Sequence, residues 1–270
     1  YTLSTGFDLS TASFNNINGD GSGFDVSTQA SSPSGIAFNN DGTKMYLVDN
    51  AADADDVNEY TLSVGFDLST ATFNDINGDG TGFSVQTQEH LPQGIAFNND
   101  GTKMFIIGST GDEVNIYTLS TGFDLSTASF NNINGDGSGF DISGQEAAAM
   151  GIAFNNDGTK MFISGTAGDD VNAYTLSTGF DLTSTVTFVD SFDISGQDTN
   201  PRSITFNNDG TKMFVVSTVD DEINSYTLFC PFAVTNSSKC EEPPQDKDVT
   251  GIIDAQINTA KKFAEDTRVS

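Results

Sequence analysis

Three stretches of this chain space oxygen-bearing side chains in a way that could hold a hard cation. Asn16, Asn18 and Asp20, then Asp75, Asn77 and Asp79, then Asn132, Asn134 and Asp136 alternate along the chain around Asn-Gly-Asp-Gly turns, with Asp25 and Asp141 following in the first and third copies. Calcium takes six to eight hard oxygens at about 2.3 to 2.6 Å, and carboxylates or amides at alternate positions around a glycine turn can supply them. The pattern is incomplete. Gln86 stands where the copy starting at Asp75 should close on a glutamate, and Asn16 and Asn132 lower the charge of the other two. The alternative is that Asn-Gly and Asp-Gly simply turn an outer strand. In a fourth copy of the surrounding sequence, Phe188 to Phe192 replace the whole insertion, so the scaffold does not need the loop. A bound calcium would have weak, extracellular-type affinity and would stiffen the loops by linkage rather than catalyse.

Other chemistry is sparse. His90 is the single histidine, and no GxSxG, HExxH or Cys-His pairing accompanies it. Cys230 and Cys240, the two cysteines, are not part of a CxxC and have no histidine nearby, which suits a small disulfide loop in an oxidising compartment better than a metal site. Against 38 acidic residues stand ten basic ones, a formal charge of -28. That field opposes nucleic acid and anionic lipid, which leaves other partners, and it suits a soluble surface in salty water.

The elements that must position these groups come from a repeat. YTLS marks recur at Tyr1, Tyr60, Tyr117 and Tyr174, spaced by 59, 57 and 57 residues, and a last copy starts at Tyr226. Between them a second block returns from Gly35, Gly94, Gly151 and Ser203 as GIAFNNDGTKMF or a close variant. Each unit reads as strand A (GIAF), an Asp-Gly hairpin turn, strand B (KMFII), an alternating strand C (VNEYTLS) and strand D (FDIS). Four strands per unit with no helical period is the spacing of a propeller blade. The chain is therefore expected to be all-β, a propeller of four to five four-stranded blades over residues 1–229. The N-terminal D strand is available to complete the last blade and close the ring between the chain's two ends, and an open fragment of a longer array is the alternative. Because Tyr1 falls in mid-repeat, the chain is expected to be a piece of something longer.

Lys44, Lys103, Lys160 and Lys212 recur in every A-to-B hairpin and read as braces. Variation concentrates in the D-to-A and B-to-C connections, which share one face of an up-and-down blade. Loops on a rigid frame carry recognition. Glu89, His90, Gln93, Asn200 and Arg202 are accordingly the expected ligand contacts, ringed by Asp53, Asp55, Asp56, Asp112, Asp169 and Asp220.

The phrase P-x-GIAFNNDGTKMF, followed by DDVNEYTLS and FD, resembles the tandem-repeat propellers of bacterial and phage surface proteins and, more loosely, the YVTN and lactonase-like propellers. After Cys240 a polar proline linker, completing a segment over 230–248, leads to VTGIIDAQINTAKKFAEDTR. There Val249, Ile252, Ile253, Ile257, Ala260 and Phe263 recur at helical spacing, predicting a short amphipathic C-terminal α-helix over 249–268. This tail resembles the segment joining passenger to barrel in autotransporters, and the resemblance implies display on the outer cell surface, with a barrel or further repeats in a longer parent chain. Near-identical blades offer a repeated site rather than the unlike neighbours catalysis needs. The expectation is an extracellular, non-catalytic module that binds a glycan or other surface ligand multivalently. A lactonase-like metal-dependent hydrolase and a pure structural spacer are the alternatives.

Overall fold

The computed structural model describes residues 1–17, 19–51, 55–219 and 221–234. The chain divides into a unit Tyr1–Asn236 and a unit Ser237–Ser270. Cys240, the linker and the expected helix lie outside the described residues, as do Asn18, Asp53 and Asp220.

The first unit opens with a short hairpin, β1 (Thr2–Leu3) and β2 (Ala12–Ser13). Four antiparallel sheets follow. The first holds β3 (Pro33–Phe38), β4 (Lys44–Asp49), β5 (Asp56–Leu62) and an outer strand in two pieces, β6 (Ala71–Phe73) and β7 (Phe83–Ser84), which both pair with β5. The second repeats this with β8 (Pro92–Phe97), β9 (Lys103–Gly108), β10 (Glu113–Leu119), β11 (Ala128–Phe130) and β12 (Phe140–Asp141). The third has β13 (Ala149–Phe154), β14 (Lys160–Gly165), β15 (Asp170–Leu176) and an unbroken outer strand β16 (Val186–Asp193). The fourth has β17 (Pro201–Phe206), β18 (Lys212–Ser217) and β19 (Ile223–Thr227). These are the four blades of a propeller.

The repeated letters explain the blade. In the A-to-B turn Asp41 accepts hydrogen bonds from the Thr43 amide and hydroxyl, and Asn39 Oδ1 accepts one from the Lys44 amide at 2.9 Å. Gly42 sits at φ +70° beneath the Phe66 ring, where a Cβ would be both strained and obstructed. The second strand of each of the first three blades is buried on both faces, because other parts of the chain cover both sides of it. KMYLVD and KMFIIG therefore read as continuous apolar runs instead of alternating. The core lies between blades. Tyr46 and Val48 of the first pack with Met104, Ile106 and Leu119 of the second.

Inner strands β3, β8, β13 and β17 lie side by side in that order. A Cβ on Gly35 would come within 2.6 Å of the Gln93 carbonyl, so this glycine sets the closeness of blades. At the A-to-B end, Asn40 Nδ2 donates to Asn99 O at 2.6 Å, Asn99 to Asn156 O at 2.8 Å, and Asn156 to Asn208 O at 2.8 Å. The conserved lysines run the same way. Lys44 Nζ donates to Phe123 O at 2.6 Å, Lys103 to Phe180 O at 2.8 Å and Lys160 to Phe232 O at 3.0 Å. Each lysine thus ties its blade to the C-to-D turn of the next.

The N-terminal hairpin continues this series. Lys212 Nζ donates to Phe7 O at 3.3 Å, and the Phe7 and Phe214 rings lie 6.5 Å apart, matching Phe105 and Phe180 at 6.4 Å. On its far side Phe24 meets Tyr60 edge-on at 5.7 Å, as Phe83 meets Tyr117 at 5.4 Å. The hairpin is thus the outer half of a fifth position between blade four and blade one. This corrects the reading in which the N-terminal D strand completes the last blade. β2 pairs with its own neighbour β1, and β17, β18 and β19 form a three-stranded sheet among the described residues. Pairing across the eight residues between β1 and β2 closes a far shorter loop than pairing with the other end of the chain.

Candidate functional site

Two connections meet at the end of each blade opposite the lysines, and a buried carboxylate sits where they meet. Glu89 accepts from the Leu91 amide at 2.9 Å and the Gly111 amide at 3.2 Å. Glu146 accepts from the Ala148 and Ala167 amides at 2.8 and 3.0 Å, and Asp198 from the Asn200 amide and the Ser217 hydroxyl, both at 2.8 Å. In blade one the acid comes from the other side. Ala30 replaces the D-to-A acid, and Asp49 at the end of β4 accepts from the Ser31 and Ser32 amides at 3.2 and 2.8 Å. Asp49 stands where the second and third blades have Gly108 and Gly165, whose added Cβ would collide with the carboxylates of Glu89 and Glu146. The acid and the glycine have changed places, and the brace is kept. Burial pushes the Glu146 carboxyl above its usual range.

Glu89, expected to touch a ligand, is therefore a buried brace, 1% exposed. His90 beside it is open, its side chain 67% exposed, with Nδ1 3.7 Å from Asp55 Oδ2. Asp55 is itself buried, and Gln86 Nε2 donates to the same oxygen at 3.4 Å. Asp56 is buried too, accepting from the Gly82 amide and Asn58 Nδ2 at 3.1 Å each. Burial, with the carboxylates of Asp49 and Asp55 nearby, pushes it up to about 6. Arg202 bonds Thr218 through Nε at 3.3 Å, and its Nη1 lies 3.5 Å from Met150 Sδ. Asn200 buries its Oδ1 without a hydrogen bond. Asp112 and Asp169 form the B-to-C turns in left-handed conformation, φ 52° and 51°, and their carbonyls accept from Ile142 and Ile194. The hydrogen bonds do not gather the expected ligand contacts into one cluster; they spread around the rim.

Gln93 instead lines a cavity of about 420 Å³ bounded by β3, β8, β13 and β17. Ile36, Ile95, Ile152, Gly151 and Thr205 share the wall, and no titratable side chain does.

The glycine-rich loops interrupt the outer strands of the first two blades. Asp75 accepts from the Gly78 amide at 2.7 Å and the Gly80 amide at 3.2 Å, and Asn132 Oδ1 from Gly135 and Gly137 at 2.8 and 3.1 Å. Asn16 Oδ1 accepts from the Gly21 amide at 3.0 Å. Asp20, Asp79 and Asp136 each accept from the amide and hydroxyl two residues on, which holds their carboxyls below the usual range. Asp25 and Asp141 do the same with Ser27 and Ser143, and Asn77 and Asn134 donate across the loop to Gly82 and Gly139 carbonyls. Asp20, Asp79 and Asp136 thus engage one carboxyl oxygen each, Asn77 and Asn134 engage their nitrogens, and the described residues hold no group of three or more His, Cys, Asp or Glu placed to grip a metal.

Cys230 is buried beside an isolated bridge to Ala233, and its expected partner Cys240 lies outside the described residues. Sequence reading missed the Phe of each GFD turn. Phe7, Phe66, Phe123, Phe180 and Phe232 all hold φ between 51° and 61°, a left-handed conformation costly for a bulky residue. In Phe7, Phe123, Phe180 and Phe232 that turn aims the carbonyl at the lysine of the preceding unit. The signal was present as an unvarying GFD or PFA after each YTL.

No protein-family model matches the chain, and no curated protein does. Among solved structures, it is similar to a candidate 6-phosphogluconolactonase from Bacteroides fragilis, at 16% identity and TM-score 0.46 over 72% of this chain and 50% of that one. A candidate 6-phosphogluconolactonase from Bacteroides uniformis gives 13%, 0.44, 72% and 50%. A nidogen/laminin complex gives 15%, 0.44, 68% and 56%. The chain spans about half the length of these structures.

Proposed function

We propose that this chain is a non-catalytic module of the cell exterior, a stiff repeat frame that binds a glycan or another surface ligand through several weak, similar contacts. The observation that carries the reading is how the polar groups are employed. The buried acids brace connections, the lysines brace neighbouring blades, and the axial cavity offers backbone, amide, hydroxyl and apolar groups without an acid or base. General acid-base work needs a titratable group within reach of substrate, and a lactonase-like centre needs carboxylates to hold its metal. The exposed, near-identical loops on the outer edges supply the repetition that avidity uses, and His90 and Arg202 supply polar contacts on the rim away from the lysines. A chain of charge -28 stays soluble and apart from its own kind at a salty surface. The test is a glycan array probed with purified protein beside assays for lactone and phosphoester turnover. Glycan binding without turnover is expected, and turnover abolished by chelation would overturn the reading.

A further inference from the structure

The fifth position has its outer half and lacks its inner half among the described residues, and the groups around the vacancy are those that bind an A-to-B hairpin everywhere else. On the blade-one side, Ile36 is 56% exposed, whereas its counterparts Ile95, Ile152 and Ile204 are at 7%, 7% and 4%, each packed on the preceding blade. The Phe66 carbonyl, held in the same left-handed turn as Phe123 and Phe180, accepts no lysine among the described residues. On the blade-four side, Val216 is 38% exposed where Val48 and Ile107 are at 0%. Asn208 accepts from Asn156, but among the described residues no hydrogen bond from its own amide continues the asparagine ladder. Between them, Leu3, Phe7, Leu9, Phe214, Val216 and Ile223 line a largely apolar cavity of about 240 Å³. The equivalent space at the other junctions is filled by the methionine and isoleucine of the next B strand, as Met104 and Ile106 fill it beside Tyr46.

We propose that this position takes a fifth A-to-B hairpin of the same repeat, of the form GIAFNNDGTKMF. Its isoleucine lies on Phe214 and Val216. Its asparagine donates to Asn40 O and accepts from Asn208. Its lysine reaches the Phe66 carbonyl, and its methionine and the residue two on enter the cavity. The four described hairpins are each held in their own sheets, so a second folded copy has none to lend. Ser203 and Thr205 stand where other inner strands have Gly and Ala, so the hairpin sits slightly further out there than Gly151 allows between its neighbours.

The experiment adds a synthetic Pro92–Gly108 peptide to the full 270-residue chain. Expected are saturable one-to-one binding, a rise in melting temperature with peptide concentration, and slower amide exchange in residues 34–38. S203G in the chain should tighten binding several-fold, and N99A with K103A in the peptide should weaken it at least tenfold. Because a free hairpin can self-associate, the same test is run with residues 88–116 fused ahead of Tyr1. The fused hairpin should raise the melting temperature, and its N99A/K103A version should raise it less. Failure of both peptide and fusion to stabilise the chain or slow exchange would overturn the proposal. So would protection of residues 34–38 in the untreated chain that is lost on removing residues 237–270, or that grows with protein concentration, since either places another occupant there.

Discussion

Asp56 shows how burial sets the behaviour of one residue. Its carboxyl is held up to about 6 chiefly by burial, so the folded chain binds that proton more tightly than the unfolded one. The sign follows directly: Asp56 favours folding below its ordinary pKa, and stability is lost as pH rises through about 6. D56N keeps an acceptor for the Gly82 amide without the charge. It should raise stability at pH 7 by about 2 kcal/mol and change nothing at pH 4, as read from paired denaturant titrations. Identical pH curves for the two proteins would contradict the assignment. The exposed Asp41, Asp100 and Asp209, with carboxyls held low by Thr hydroxyls, act in the opposite direction, which is why the comparison must be between variants. The glycine-rich loops yield a second expectation at this scale. Their side chains already close on their own amides, so calorimetry should detect no heat on calcium addition, and chelation should leave the melting temperature unchanged. The Asp-x-Asn-x-Asp-Gly letters were legible, but the hydrogen bonds that close each loop on its own amides were not. They depend on where Gly78 and Gly80 direct their N–H groups, which composition does not state.

At the scale of the element, the outer strand tolerates two constructions. β16 runs unbroken, while β11 and β12 flank a loop of nine residues and still pair with the same strand β10. Replacing residues 131–139 by the Val-Asp-Ser of the third blade should therefore leave melting within a few degrees, and a loss of cooperative unfolding would show the loop to be structural. The exchange of acid and glycine between connections gives a sharper test. D49G should cost on the order of 2 kcal/mol by orphaning the amides of Ser31, Ser32 and Ala51, and A30E should crowd Asp49. The double variant rebuilds the second blade's pattern and should recover most of the loss, a coupling measurable in a double-mutant cycle. Strands A, B and C were plain in the sequence from their apolar runs and the Asp-Gly turn. Glu89 was misread as a ligand contact because a charged residue in a variable loop looks exposed. Its burial became visible only beside Gly108, nineteen residues away across the blade.

For the whole molecule, the repeat announced a propeller, yet the role of the N-terminal hairpin could not be read from it. Which strand β2 pairs with is a question of loop closure, and letters that recur in every unit cannot rank the partners. The structure answers through the lock that each unit shares, a lysine reaching the carbonyl of a left-handed Phe in the next. K103A removes one such charge-assisted bond at a part-buried site and should cost about 1 to 2 kcal/mol, visible as a fall of a few degrees in melting temperature. The central claim is that this lock continues from blade four to the N-terminal hairpin. It is tested most directly by placing a photoreactive benzoylphenylalanine at position 7, irradiating dilute protein and mapping the cross-link by mass spectrometry. The account predicts an intramolecular link to residues 212–216, around Lys212 and Phe214. A link confined to β5 or to a second molecule would contradict it.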